Sequence, residues 1–168
     1  MPIRLDYAQL SPGGLSAMRG LERHVNESGL EKSLLELVKT RASQLNGCAY
    51  CLDMHTKDAR AAGETEQRLY ALSAWRETSF FDARERAALA WTEAVTRLGE
   101  DHVSDEIYAE VRPQFDDRQL VDLTLAIVAI NGWNRLAIAF RKEPGTYQPQ
   151  PAASRATSQV PTAQRLSD

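Results

Sequence analysis

The longest apolar pattern in this sequence lies at 117–141, where Leu120, Leu123, Ile127, Val128, Ile130, Leu136, Ile138 and Phe140 recur at helical spacing. Its apolar face is broad enough for a central or intersubunit helix. Nowhere does the chain sustain the period-two alternation of a half-buried strand, so the fold is read as all-α. Asp122, Asn131, Asn134 and Arg135 break the apolar run well below the roughly 20 residues a bilayer needs, which argues against a membrane span.

Turn signals divide the remainder into further helices. Pro12-Gly13-Gly14 leads into a short helix over 15–25, with Leu15, Met18, Leu21 and Val25 on one face. Ser28, with Glu31 three residues on, has the form of a capping box for a helix whose stripe is Leu34, Leu35, Val38, Ala42 and Leu45. Asn46-Gly47 then marks a turn, and a helix opens at Cys48 and runs to Gly63. Shorter helices are predicted over 66–75, from the Asp82 cap to about Gly99, and from Ser104 to about Pro113. Four of the seven prolines lie in 143–168 among Ala, Ser, Thr and Gln. The chain is therefore divided into a helical domain at 1–142 and a tail at 143–168, disordered or strapped over a neighbouring subunit.

At 168 residues, 43% hydrophobic and 26% charged, one ordinary domain suffices. A net charge of −3 with interspersed signs gives no nucleic-acid footprint and no polybasic membrane patch. The N-terminus carries no signal-type apolar stretch and two cysteines make no secreted framework, so a reducing, cytoplasmic setting is expected. In that setting a C-x-x-C pair is redox-active or metal-binding more often than a structural staple.

The chemistry concentrates at Cys48-Ala49-Tyr50-Cys51-Leu52-Asp53-Met54-His55, with Glu36 twelve residues before the first cysteine. On a helix, Cys48, Cys51 and His55 fall within roughly 60° of one another. The two cysteine Cα atoms are then on the order of 5 Å apart, inside the disulfide window. A helix N-terminus also lowers a thiol pKa, which favours the nucleophilic thiolate. Three explanations stay open, in this order: thiol redox chemistry, burial of two small apolar side chains, and zinc held by Cys48, Cys51, His55 and Glu36. The last is disfavoured because structural zinc sites draw two pairs from separate segments. His55 gains weight from its place one turn beyond Cys51, and Glu36 only from its relation to the cysteines. Tyr50, Asn131 and Asn134 are candidate site-lining residues, with helix packing as the alternative for each. His24 and His102 are read as surface or capping groups.

Glu36 followed by Cys48-x-x-Cys51-x-x-x-His55 resembles the active-site pattern of the AhpD-like alkylhydroperoxidases of the carboxymuconolactone decarboxylase superfamily. The similarity is strongest over 34–98 and returns in Ile130-Asn131-Gly132-Trp133-Asn134-Arg135-Leu136. It implies an all-helical domain of about six to seven helices that assembles as a homo-oligomer, commonly a trimer or hexamer, with its site near subunit contacts. It also implies Cys51 as the peroxidatic thiolate, Cys48 as the resolving cysteine, and Glu36 with His55 as a proton relay. No cofactor is implied. An organic hydroperoxide would be the substrate, and an external dithiol, a lipoyl-type adaptor or a thioredoxin-like protein, would return the electrons. Where well-studied members carry a histidine between the cysteines, this chain has Tyr50. Superfamily chains that decarboxylate the muconolactone lack the cysteine pair. A non-catalytic redox sensor built on the same dithiol is the alternative function, and a metal-binding structural protein the third.

Overall fold

A computed structural model describes residues 2–99 and 102–149. Among them are eight α-helices and no strand: α1 (Tyr7–Leu10), α2 (Pro12–Glu27), α3 (Lys32–Asn46), α4 (Ala49–Ala61), α5 (Glu66–Ala71), α6 (Ala83–Thr96), α7 (Asp105–Val111) and α8 (Asp117–Phe140). Two short 3-10 segments, Leu72–Glu77 and Arg112–Gln114, follow α5 and α7. The all-α expectation holds. The helix beyond the expected six to seven is α1, a single turn that Asp6 starts by accepting from the N–H groups of Ala8 and Gln9.

Helix α3 sits at the centre and packs against α4, α6 and α8, while α2 lies along α8. The main core joins Leu34, Leu35 and Val38 of α3 to Ala88 of α6 and Leu123 and Ile127 of α8. A second cluster gathers Leu37, Leu72, Trp75 and Leu89, and a third places Ala42, Cys48, Cys51, Ile130 and Ala137 together. Most polar residues inside this packing are paired, Thr40 on α3 being an exception whose buried hydroxyl has no hydrogen-bond partner. Glu93 accepts from Arg41 at 2.8 Å and from the Trp75 indole at 2.8 Å, and also pairs with Arg76. Lys39, buried on α3, pairs with Glu22 of α2.

The caps largely follow the sequence. Asp82–Glu85 makes a reciprocal capping box on α6, and Ser104 caps α7. Asp116 with Gln119 makes a second box, on α8. The box expected from Ser28 and Glu31 does not form. Ser28 closes α2, its hydroxyl donating to the Val25 carbonyl at 2.7 Å, and Gly29 turns the chain at φ 92°. Helix α3 therefore starts after Glu31, whose side chain makes no cap bond there and instead meets Arg84.

Helix α8 contains an 18-residue window of mean hydropathy 1.4, long and apolar enough by composition to cross a membrane. Asp122, Asn131, Asn134 and Arg135 interrupt its apolar run, as read from the sequence. Its Leu120, Leu123, Ala126, Ile127 and Ile130 are nevertheless spent on the helical core.

Both ends of the described chain return to the bundle. The Arg4 N–H donates to the Phe140 carbonyl at 3.1 Å, and the rings of Tyr7 and Phe140 lie 5.7 Å apart. After Arg141 ends α8 in a left-handed conformation, residues 142–149 run back over α4 of the same chain. The rest of the tail reading, at 150–168, lies outside the described residues.

Candidate active site

The turn between α3 and α4 sets the position of the cysteines. Gly47 takes φ 68°, and the N–H groups of Gly47 and Cys48 bond back to the carbonyls of Gln44 and Ser43 at 3.3 and 3.0 Å. Cys48 thereby becomes the N-cap of α4, and Cys51 falls in its first turn. Both thiols are free and about 1% exposed, and their sulfurs lie 2.8 Å apart in a hydrogen bond. A covalent bond of about 2.05 Å needs a closing movement of less than about 1 Å.

The two sulfurs are electrostatically unequal. The Cys51 side chain holds the Cys48 thiol down to about 7 against burial, helped by the N–H groups of Cys51 and Tyr50 and by Asn134. Cys51 is pushed up, because it is hydrogen-bonded to Cys48, buried, and next to the charge Cys48 carries. The pair behaves as a shared-proton unit whose first charge rests on the N-cap sulfur. Helix-terminus activation thus falls on Cys48, the residue at the cap itself.

His55, one turn beyond Cys51, is buried, and its Nδ1 lies 2.9 Å from Oε2 of Glu36 on α3. Burial pushes the Glu36 carboxyl up, but the His55 bond, with His55, Lys39 and Lys32 as positive neighbours, outweighs it and holds the group below its ordinary value. Glu36 is 7% exposed, so the solvated charge that an isolated glutamate suggests is here an interior ion-pair partner.

Cys51, Glu36, His55 and Tyr50 all line a cavity of about 790 Å³, within the size range of small-molecule sites. Apolar lining comes from Leu5, Leu15, Leu35, Met54, Trp133 and Phe140, and charged lining from Arg19, Glu22, Lys32 and Lys39. Cys48 lies behind Cys51 and does not reach this surface. Asn134 is fully buried, donating to the Ser43 hydroxyl at 3.1 Å and accepting from Asn46 at 2.8 Å, and it lowers the pKa of both thiols. Asn131 joins the same network, accepting from Asn46 at 2.9 Å and donating to Thr96 at 3.0 Å, and does not line the cavity. His24 is exposed, as read, and its Nε2 also lies 2.9 Å from Asp122, tying α2 to α8.

Two site residues escaped the sequence reading. Asp58 lines the cavity one turn beyond His55, a spacing that could have marked it. Tyr147 also lines it, from the arm after α8, and no local signal in the sequence points there. Ligand atoms of Glu36, His55 and Asp58 lie within 4.8 Å of one another, a donor set suited to a divalent cation. The cysteines are not part of that group, so the four-residue zinc set weighed from the sequence is not brought to one point.

An all-helical bundle with a buried dithiol at a helix start, a His one turn on and a Glu partner for it from the neighbouring helix defines the class. Residues 12–94 match the carboxymuconolactone decarboxylase family, and the chain belongs to it. It is 46% identical over 139 residues to the uncharacterized protein YdfG of Bacillus subtilis, covering 83% of this chain and 95% of that one. The crystal structure of ATU0492 from Agrobacterium tumefaciens, of unknown function and provisionally assigned to antioxidant defence as AhpD, matches with a TM-score of 0.83. The two are 42% identical, over 87% of this chain and 100% of the other. An uncharacterized peroxidase-related protein from Silicibacter matches with a TM-score of 0.70 at 26% identity, over 79% of this chain and 70% of its own. The AhpD-like fold is thereby established.

Proposed function

We propose that this chain is a dithiol peroxidase that reduces organic hydroperoxides through Cys51 and Cys48. The observation that carries the reading is the placement of Cys51 on a cavity of mixed apolar and charged lining, with Cys48 2.8 Å behind it and the buried Glu36–His55 pair lining the same cavity.

In the resting pair Cys48 carries the charge and Cys51 the proton. Transfer of that proton to Cys48 gives a Cys51 thiolate facing the substrate. It attacks the terminal peroxide oxygen, the O–O bond breaks, Cys51 becomes a sulfenic acid and an alkoxide leaves. The alkoxide takes a proton from His55, which Glu36 orients through Nδ1 and stabilises in its charged form. The Cys48 thiol then attacks the sulfenic sulfur, forming the disulfide and releasing water. Each turnover consumes one hydroperoxide and two thiol hydrogens, which an external dithiol restores.

We further infer a homo-oligomer, trimeric or hexameric, working in the reducing cytoplasm with a lipoyl-type or thioredoxin-like reductant. The test is single-turnover oxidation of the reduced protein by cumene hydroperoxide with thiol counting and mass measurement. Rapid loss of both thiols, with a sulfenic acid trapped on Cys51 in the Cys48→Ser protein, supports the reading. Thiols that react no faster than free cysteine overturn it and favour the redox-sensor function.

A further inference from the structure

The arm after α8 is pinned to α4 at consecutive points. The Gly145 N–H donates to Asp53 at 2.9 Å, Lys57 Nζ donates to the Tyr147 carbonyl at 3.1 Å, and the Tyr147 hydroxyl contacts both Asp58 oxygens at 2.8 and 3.0 Å. Asp53 and Lys57 sit one turn apart on α4 and Asp58 lies further round the same helix, so the arm is fastened to α4 at three side chains. Asp58 in turn has a carboxylate oxygen within 4.8 Å of the Glu36 and His55 ligand atoms. Tyr147 reaches the cavity from the arm, and Tyr50 enters it from between the cysteines, where the resemblance would place a histidine.

We propose that Asp58 is a second carboxylate of the Glu36–His55 proton relay and that Tyr147 is the positioning residue that holds it there. The inference rests on the peroxidase reading for its role in turnover, though the contact itself does not. The charged His55 imidazolium that protonates the alkoxide is then held by two carboxylates, Glu36 at Nδ1 and Asp58 one helical turn on. Coulomb attraction at such separations beside the low-dielectric protein wall is stronger than in open solution. The proton is then passed from His55 to the alkoxide oxygen, and the two carboxylates return to their resting partners. Unheld, a partly exposed aspartate on a helix surface would turn outward to water. The phenol prevents this by donating to its carboxylate, and that contact, after burial, raises the Tyr147 pKa. A relay that lacks a histidine between the cysteines is thus supplied from the far end of the chain.

The experiment uses the full-length reduced protein, Tyr147→Phe, Asp58→Asn and the double variant. Three readings are taken: oxidation by cumene hydroperoxide, alkylation by iodoacetamide at neutral pH, and the alkaline titration of tyrosine absorbance. Phenylalanine keeps the ring and the backbone bonds of the arm, so a loss there reports the hydroxyl. Each single variant is expected to be oxidised roughly tenfold more slowly. The double variant should be no slower than Asp58→Asn alone, because both remove one contact. In Asp58→Asn, one tyrosine that is absent from the Tyr147→Phe titration should ionise at lower pH. Oxidation of Tyr147→Phe within about twofold of the parent, or losses that add in the double variant, overturn the proposal. If the parent itself is oxidised no faster than free cysteine, the peroxidase reading fails. The relay is then judged on alkylation, where the same non-additive loss supports it and unchanged rates overturn it.

Discussion

Cys48 caps the helix whose first turn carries Cys51, and 2.8 Å separates their sulfurs. The cap position concentrates the helix N–H groups on one sulfur while the other remains its hydrogen-bond partner, so a single proton governs the reactivity of both. Alkylation of Cys48, followed by mass across a pH series, should therefore show a midpoint of about 7. In Cys51→Ala the partner that lowers it is gone, and the midpoint should rise toward the ordinary 9.0. A midpoint that stays put would mean that the backbone alone sets it.

Glu36 links pH to stability. Its folded pKa lies below the ordinary 4.5, so its stabilising contribution is present above the unfolded-chain value and is lost as pH falls through the folded value. Urea unfolding of the parent and Glu36→Gln should differ at about pH 6 and converge as pH falls toward about pH 3. A gap independent of pH would show that the His55 contact does not depend on the carboxylate charge.

Gly47 is held at φ 68°, where a Cβ meets no neighbouring atom but the backbone itself is strained for an L side chain. Gly47→Ala should cost about 1 kcal/mol in a denaturant melt. Because this turn sets Cys48 as the cap, the same variant should also slow alkylation of Cys48. Lost stability with unchanged alkylation would separate the turn from the cap.

Asn134 supports the sulfurs from α8. Asn134→Ala removes one hydrogen bond each from Ser43 and Asn46, which keep Lys39 and Asn131 as their remaining partners, and should destabilise by roughly 1–3 kcal/mol. It should raise the pKa of both thiols as well, which the alkylation series would register.

The helical period was enough to place α3, α4, α6 and α8, because their apolar stripes are the same residues that fill the core. Cys48, Cys51 and His55 were legible together for the same reason, since residues three and four apart on one helix must share a face. Glu36 needed more than spacing: its burial follows from α3 crossing α4, a tertiary fact. Ser28 misled because a serine before a glutamate has two outlets, and closing α2 on Val25 won over opening α3. Asn131 and Asn134 stood out as polar residues in an apolar run, yet only the three-dimensional network separates the one beneath the sulfurs from the one turned to Thr96. Asp58 is partnered by Tyr147, 89 positions away, and no local pattern carries such a relation.

Arg4 joins the N-terminal stretch to the end of α8 by a backbone bond, and residues 142–149 are fastened mainly by side chains of α4. Two short arms, through Ile3, Leu5, Lys142 and Tyr147, thus complete a cavity whose other walls are helices of the bundle. Segments with so few buried apolar contacts open at much lower free energy than the core they cover. The sulfurs can therefore be uncovered by fraying at the doorway, and a mutation that loosens either arm would change how often the site is open while leaving the melting temperature of the bundle almost untouched.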